Sequence, residues 1–322
     1  MISAARSERD AGEAWAGIIP ALVTPLCPDG SLDVEGLERM IGYVSSHGVH
    51  AISILGSTGE GALLPDAVHA EALMVALRSG GRRPIIAGVL NAVPRDVFAA
   101  ARRAFECGAA AVLLTPPFYY RLDQAAIVAF YREAVRVLRG PIFIYHIPAF
   151  TKVQLEPETV SKLAELPGLV GIKDSSRDLD FHRRVIEQTR DRSFAVFAGS
   201  GDILVASMGW GGAGAIAASA NLIPDTLVQL WNAQRAGDTD GAGHLHRRVH
   251  AVEEICRRFP FPVNWKTSLA LIGLMNAMPA FPVQAMTPAD VDAMRSGLRE
   301  LGVLREGSSY NSLFQKGGRD CE

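Results

Sequence analysis

Short apolar segments rich in β-branched residues alternate with longer amphipathic segments along most of the chain. The short segments have the length of buried strands, and the longer ones repeat their apolar positions with the spacing of a helix. The alternation predicts strands at 17–24, 51–55, 84–90, 110–115, 141–146, 169–173, 194–199 and 214–218. It predicts helices near 33–47, 66–79, 94–107, 124–138, 157–166, 179–190, 202–210 and 225–236.

Strand–helix pairs with almost no hairpin signals favour a parallel sheet. For a chain of 322 residues, closure as a (β/α)8 TIM barrel is the economical arrangement. The rival is an open doubly wound sheet, but no G-x-G-x-x-G motif follows the first predicted strand. We therefore predict an α/β protein with a polar lead-in at 1–14, a (β/α)8 barrel at 15–236, a helical extension at 237–304 and a polar tail at 305–322.

Composition and charge narrow the class of protein. The net charge of −2 gives no electrostatic reason to expect a nucleic acid or an anionic membrane as partner. No apolar run reaches the roughly 18 residues that a membrane span requires, and the first residues lack the apolar core of a signal peptide. No pair of cysteines has zinc-site spacing, so we expect no metal. The expectation is a soluble cytoplasmic protein.

A lysine at the end of the sixth predicted strand is the first candidate for chemistry. The chain has only five lysines among its 32 basic residues, and Lys173 is the one that ends a strand. Barrel enzymes carry their sites at these strand ends. Unlike arginine, a lysine there can lose its proton and attack a carbonyl. Taken alone, Lys173 could equally form a salt bridge with Asp174.

Hydroxyl groups end two other predicted strands. Tyr145 lies at the end of the fifth strand, and the motif GSTGE after the second strand contains Ser57 and Thr58. A neutral Lys173 can form an imine with a ketone, a phenol can relay the protons, and two hydroxyls can hold a neighbouring carboxylate. The set therefore predicts a Schiff-base enzyme acting on a 2-oxo acid. Each motif alone also fits a structural role, as a glycine-rich turn or a packing aromatic.

Seven motifs in order resemble the dihydrodipicolinate synthase/N-acetylneuraminate lyase family. They are PALVTP…DGSLD, GSTGE, PIIAGV, TPPFYY, IYHIP, VGIKDSS and GGAGAIAASAN, and the resemblance runs from about residue 17 to 303. The resemblance implies a class I pyruvate-dependent aldolase on a (β/α)8 barrel with C-terminal helices. It also implies a homotetramer built as a dimer of dimers, substrates that are a 2-oxo acid and an aldehyde, and no cofactor beyond a covalent imine.

The resemblance also assigns catalytic roles by matching motif. Lys173 resembles the family's Schiff-base lysine, and Tyr145 resembles the tyrosine that acts as general acid and base. Ser57 and Thr58 match the hydroxyl pair that holds the pyruvoyl carboxylate and helps to relay protons.

Two further positions take roles from the same resemblance. Tyr119 resembles the tyrosine whose side chain extends into the active site of the neighbouring subunit. Tyr120, the next residue, is the alternative for this role. Ile216 matches the residue whose backbone carbonyl faces the bound pyruvoyl group. His146 stands where asparagine is more usual, and the sequence offers no interpretation of it.

Departures from the family pattern bear on the second substrate. Dihydrodipicolinate synthases typically carry an arginine at the position of Phe150, and sialic-acid lyases an acidic pair where this chain has only Asp202. We therefore expect an aldolase or lyase for a 2-oxo acid of the 2-keto-3-deoxy sugar acid type. Dihydrodipicolinate synthase or a related dehydratase is the alternative. A non-catalytic 2-oxo-acid-binding barrel and a phosphate- or flavin-binding barrel are the interpretations from other classes.

Overall fold

Parallel strands closed into a ring form the centre of the molecule, which a computed structural model describes over residues 15–304. The strands in this range are β1 (Gly17–Pro20), β2 (Ile52–Ile54), β3 (Ile85–Val89), β4 (Ala111–Leu114), β5 (Ile142–His146), β6 (Leu169–Asp174), β7 (Ala195–Ala198) and β8 (Gly214–Ala217). Their order is β1-β8-β7-β6-β5-β4-β3-β2, and a parallel bridge between Ala21 and Ser53 closes the ring between β1 and β2. The predicted TIM barrel is confirmed.

Helices surround the strands. Within the described residues they are α1 (Val34–Ser46), α2 (Asp66–Ser79), α3 (Pro94–Cys107), α4 (Gln124–Val137), α5 (Pro148–Thr151), α6 (Pro157–Leu163), α7 (Leu179–Thr189), α8 (Leu204–Trp210), α9 (Pro224–Ala236), α10 (Thr239–Arg257), α11 (Val263–Leu271) and α12 (Pro288–Glu300). Aspartates at the N-caps explain several starting points: Asp33 accepts from Gly36 N at 2.8 Å, and Asp123 accepts from Ala126 N at 2.7 Å.

Two departures from the predicted elements lie at the rim of the barrel. The short helix α5 follows β5 directly and was not predicted, because a single turn that starts at Pro148 has too few residues to show a helical period. The helix predicted at 202–210 begins as a 3₁₀ turn, Gly201–Ile203, before α8. Both differences lie at the C-terminal ends of strands, where the barrel carries its loops.

Large side chains fill the interior of the barrel. The inward-facing cluster includes Ile19, Phe143, Tyr145, Phe197 and Ile216, all of them buried. Because successive residues of a strand face opposite sides, the neighbours of these residues pack outward against the helices. The interior of the barrel is therefore a packed core, and in barrels of this kind ligands bind at the C-terminal rim.

The last three helices pack against the barrel and against each other. Helix α10 lies against α9 and α12, and every residue of α11 is buried. These helices occupy the range 237–304 that was predicted as an extension. The predicted lead-in at 1–14 and the predicted tail at 305–322 lie outside the described residues. Over residues 15–304, no helix is both long and apolar enough to cross a bilayer.

Candidate active site

The register of two neighbouring strands places Lys173 beside Tyr145. Residue 145 of β5 pairs with residue 173 of β6, so both side chains point to the same face. Lys173 Nζ donates to Tyr145 Oη at 3.2 Å and lies 4.4 Å from the centroid of the tyrosine ring. The residues are 3% and 2% exposed. The amine is therefore held at a phenol that can exchange protons with it.

A hydroxyl from the other side of the barrel extends this pair into a chain. Tyr145 Oη donates to Ser57 Oγ at 3.2 Å. Thr58 follows in the same turn after β2 and is buried. We call the sequence Lys173 Nζ, Tyr145 Oη, Ser57 Oγ the proton chain. It joins three of the residues that the sequence singled out, although 116 positions separate its ends.

The turn that carries Ser57 and Thr58 is held in one shape. Leu55 and Glu60 have left-handed backbone conformations, with φ of 59° and 57°, which non-glycine residues adopt at a cost. A Cβ on Gly61 would lie 2.0 Å from the carbonyl oxygen of Leu55, so only glycine fits there. Thr24 Oγ1 donates to Gly59 O at 2.7 Å. Strain of this kind persists only where the surroundings fix it.

A buried ion pair fixes the turn from the C-terminal helices. Glu60 forms an ion pair with Lys266 of α11 through Oε2 and accepts from Ala280 N at 2.8 Å through Oε1. Lys266 Nζ also donates to Met278 O at 2.7 Å. Burial lowers the pKa of Lys266, and the carboxylate of Glu60 opposes this shift. The sequence analysis missed this pair, because no local pattern relates two residues so far apart in the chain.

A histidine–aspartate–histidine network lies behind the proton chain. Asp174, next to Lys173 in β6, faces outward, where its Oδ1 bonds to His146 Nδ1 at 3.0 Å and its Oδ2 bonds to His182 Nδ1 at 2.9 Å. His182 Nε2 bonds to Ser207 Oγ at 2.8 Å. Burial raises the pKa of Asp174, but the hydrogen bonds and charges of the two histidines outweigh burial and hold that pKa well below its usual range.

The network answers two questions that the sequence left open. Asp174 pairs with His146 and His182 and therefore does not act as the counter-ion of Lys173. Leu155 N donates to His146 Nε2 at 3.4 Å, so both ring nitrogens of His146 are engaged within the fold. His146 is thus a buried connector between β5, β6 and the segment before α6.

Replacing Asp174 by asparagine should destabilise the fold by about 2–4 kcal/mol at neutral pH. The amide would turn its NH₂ group toward a histidine N–H, and two donors would face each other without an acceptor. Urea unfolding of the wild type and of D174N measures the difference in their free energies of unfolding. The matched control is Asp180→Asn, which removes an exposed carboxylate from α7 and should change stability by less than about 1 kcal/mol.

The same variant should reveal a pH dependence. The pKa of Asp174 is lowered by folding from 3.8, so its stabilising effect is complete above that value and is lost as the pH falls below it. The stability difference between the wild type and D174N should therefore shrink as the pH is lowered from about 5 into stronger acid. A difference that grows on acidification would show that the carboxyl group is protonated in the native network.

If Tyr145 has the role of general acid and base that the family resemblance implies, replacing it by phenylalanine should lower kcat by roughly 10²–10⁴, the usual effect of losing such a group. The ring and its packing remain, while the hydroxyl between Lys173 and Ser57 is removed. Steady-state kinetics with pyruvate and an aldehyde measure the effect. Tyr43→Phe removes a hydroxyl that donates to Leu222 O in another part of the barrel and should keep wild-type rates. Equal rates in Y145F and the wild type would contradict the relay role.

The remaining predicted residues lie outside the proton chain. Tyr119 follows β4, is 86% exposed and has a strained φ of 90°. Its ring makes an edge contact with that of Tyr120, with centroids 5.2 Å apart. Ile216 is buried in β8 within the interior cluster that also contains Tyr145. Across residues 15–304, no group of three or more histidine, cysteine, aspartate or glutamate side chains is arranged to hold a metal ion.

A cavity of about 370 Å³ opens next to the proton chain. Ser57 lines it and connects it to the rest of the proton chain through its hydrogen bond with Tyr145 Oη. The volume is near the lower limit of the roughly 300–1,000 Å³ that is typical of small-molecule sites. The proton chain and the cavity together form the candidate active site.

Comparison with known proteins identifies relatives with the same barrel. The profile of the family described as "Dihydrodipicolinate synthetase family" matches residues 14–299. A 4-hydroxy-tetrahydrodipicolinate synthase of Methanopyrus kandleri is 31% identical over 294 residues, which are 90% of this chain and 98% of the relative. The crystal structure of dihydrodipicolinate synthase from Thermotoga maritima has a TM-score of 0.87 at 27% identity and covers 90% of this chain and 100% of its own.

A second solved structure contains a ligand. YagE, a prophage protein of Escherichia coli K12 that belongs to the dihydrodipicolinic acid synthase family, was crystallised in complex with pyruvate. It superimposes with a TM-score of 0.86 at 26% identity, covering 90% of this chain and 99% of its own. The likeness therefore extends over nearly the whole barrel and its C-terminal helices.

Proposed function

The chain belongs to the dihydrodipicolinate synthetase family of class I pyruvate-dependent lyases, and on that premise we propose that Lys173 forms a Schiff base with pyruvate or another 2-oxo acid. The observation that carries the proposal is the proton chain, in which the buried amine of Lys173 donates to Tyr145 Oη at 3.2 Å. An amine at a phenol is suited both to attack a ketone and to exchange protons during that attack.

The proposed reaction begins at the ketone carbon. Lys173 Nζ adds to it, the ketone oxygen takes up protons through Tyr145 and leaves as water, and a protonated imine remains. This imine withdraws electrons, so a proton can leave C3 of the pyruvoyl group to give an enamine. The enamine carbon attacks an aldehyde to form the C3–C4 bond, and water then releases the product. The reverse sequence cleaves the same bond.

Other residues take supporting roles in this proposal. Ser57 and Thr58 hold the carboxylate of the 2-oxo acid, and the backbone carbonyl of Ile216 faces the pyruvoyl group. We also propose a homotetramer, a dimer of dimers, in which Tyr119 of the partner subunit completes each site. The exposure and the strained backbone of Tyr119 support this role, since strained residues are common at functional sites. A cytoplasmic location and the need for no cofactor beyond the imine complete the proposal.

Dihydrodipicolinate synthase activity is the second candidate function. It is supported by the Methanopyrus kandleri relative, which is a 4-hydroxy-tetrahydrodipicolinate synthase. It requires a cation for the carboxylate of aspartate semialdehyde, and Phe150 occupies the position where the resemblance leads one to expect an arginine. Retro-aldol cleavage and dehydration start from the same imine, so the proposal covers both kinds of lyase.

Exchange of the methyl protons of pyruvate for deuterium tests the proposal without any second substrate. The enzyme in deuterated water should exchange these protons, as followed by NMR, because the enamine forms reversibly. Lys173→Met should abolish the exchange, since its side chain has a similar length and no amine. A folded wild-type protein that binds pyruvate but leaves its methyl group unexchanged would contradict the proposal and favour a 2-oxo-acid-binding barrel.

A further inference from the structure

Aromatic side chains form one side of the cavity that borders Ser57. Phe118 follows β4, Phe150 lies in α5 and Phe261 precedes α11. The rings of Phe150 and Phe261 have centroids 5.4 Å apart and an angle of 32° between their planes. Phe150 is 55% exposed although it lines this cavity. Exposed apolar groups at the rim of a cavity mark a place where an apolar ligand binds.

Aliphatic side chains form another part of the wall. Leu63 follows the Ser57–Thr58 turn, Leu90 ends the third predicted strand, and Ile147 follows β5. These residues come from separate parts of the barrel rim and converge on one space. Burying apolar surface against them would stabilise a bound ligand in proportion to the area removed from water.

The one ionisable side chain on the cavity wall is already paired. Glu60 lines the cavity, but its two carboxylate oxygens are engaged by Lys266 and by Ala280 N. Asp202, which stands where sialic-acid lyases carry an acidic pair, is held at 2.9 Å by Arg177 and at 2.6 Å by Arg257. No arginine, lysine or histidine lines the described cavity, so it offers no cation to an anionic chain. Neither Glu60 nor Asp202 is free to accept hydrogen bonds from a polyhydroxylated chain.

One polar atom in the cavity wall lacks a partner. Thr115, directly after β4, is only 1% exposed and lines the cavity, and no other described residue forms a hydrogen bond with its Oγ1. Thr151, the other threonine of the wall, donates its Oγ1 hydrogen to Ile147 O at 3.0 Å. A buried hydroxyl without a partner costs free energy unless a ligand supplies one. Thr115 is therefore placed to bind a single polar atom of the ligand.

We propose that this cavity binds an apolar aldehyde, with an aryl or branched alkyl group, as the second substrate of the reaction. The group would lie among Phe118, Phe150 and Phe261, and the aldehyde oxygen would accept a hydrogen bond from Thr115 Oγ1. This inference rests on the proposed function, because it names the acceptor that reacts with the enamine. It replaces the sugar-acid expectation with a ligand of opposite polarity.

The proposed reaction balances without a further reagent. C3 of the enamine on Lys173 forms a bond to the aldehyde carbon, and the aldehyde oxygen takes up one proton to become a hydroxyl. Water then releases a 4-hydroxy-2-oxo acid and returns the lysine amine. The sum is one pyruvate and one aldehyde converted into one product, with no change of oxidation state in total.

A competition between aldehydes tests the inference. The whole enzyme is supplied with pyruvate and, in separate reactions, benzaldehyde, glyceraldehyde or aspartate semialdehyde, and kcat/KM for product formation is measured by mass spectrometry. Pyruvate methyl exchange is measured on the same samples. We expect kcat/KM for benzaldehyde to exceed that for the other two aldehydes by at least about tenfold. The reason is that its ring can bury apolar surface against the cavity wall, whereas the other two carry polar groups.

Two variants locate the effect in this cavity. Phe150→Arg introduces a cation into the wall and should lower the ratio of kcat/KM for benzaldehyde to that for aspartate semialdehyde by at least about tenfold. Met74→Arg adds the same charge at an exposed position of α2, outside the cavity, and should leave the ratio unchanged. Thr115→Val keeps the side-chain shape and should lower kcat/KM for benzaldehyde, with each value normalised to the pyruvate exchange of the same variant.

The outcomes separate the inference from the function on which it rests. Pyruvate exchange together with a preference for benzaldehyde that F150R removes supports the inference. Exchange together with a preference for glyceraldehyde or aspartate semialdehyde overturns it and leaves the aldolase proposal standing. Absence of exchange in the folded wild type overturns both.

Discussion

Replacing Lys173 by arginine should reduce turnover to background, a loss on the order of 10⁴ or more. The guanidinium stays protonated at every accessible pH, so it cannot add to a ketone and form the imine. Steady-state kinetics with pyruvate and an aldehyde, together with pyruvate methyl exchange, measure the loss. Lys162→Arg makes the same substitution at an exposed position of α6 and should keep wild-type rates.

Because Lys173 is buried and arginine is larger than lysine, K173R could also lose activity through disturbed packing. A second variant separates this cause from the loss of the amine. Lys173→Met has an unbranched, uncharged side chain of similar length and leaves the barrel interior apolar. It should fold, as circular dichroism and its unfolding transition would show, and it should be as inactive as K173R. Residual activity near the wild-type level in either folded variant would exclude Lys173 as the nucleophile.

Replacing Lys266 by methionine should destabilise the protein by about 3–5 kcal/mol, the largest stability effect that we expect from a single substitution. The change leaves the carboxylate of Glu60 buried without its cation, while Ala280 N remains as one donor. Urea unfolding of the wild type and K266M measures the difference. Lys162→Met removes an exposed lysine and should cost less than about 1 kcal/mol.

A double variant separates the buried charge from the packing. Combining Lys266→Met with Glu60→Gln removes both charges, so part of the lost stability should return. The strained turn of Ser57 and Thr58 should become looser in K266M alone, which would raise KM for pyruvate more than it lowers kcat. An equal loss of stability in the single and double variants would mean that packing, not the unpaired carboxylate, dominates.

The alternation of strands and helices was predictable because each element carries its own period. Helix α3, for example, was predicted at its observed bounds, 94–107. Seven of the eight strands are shorter in the structure than their predicted apolar runs, since buried residues continue beyond the hydrogen-bonded ladder. Residues 21–24, for example, remain apolar or buried after β1 ends at Pro20. Apolar character reports burial, and it does not report where hydrogen-bonded pairing stops.

Part of the candidate site was also predictable, because it lies at strand ends. Lys173 and Tyr145 follow from adjacent strands in a parallel register, which the order of the motifs implies. The pairing of Glu60 with Lys266, and of Asp174 with His182, does not follow from any local period. These contacts depend on how distant elements pack in three dimensions, so the sequence alone could not indicate them.

Trapping the imine tests the central claim most directly. The protein is treated with borohydride in the presence of pyruvate, and the modified peptide is identified by mass spectrometry. The account predicts a reduced pyruvoyl adduct on Lys173 in the wild type and none in K173M. A folded wild-type protein that gives no adduct with pyruvate or with longer 2-oxo acids, or an adduct on another lysine alone, would contradict it.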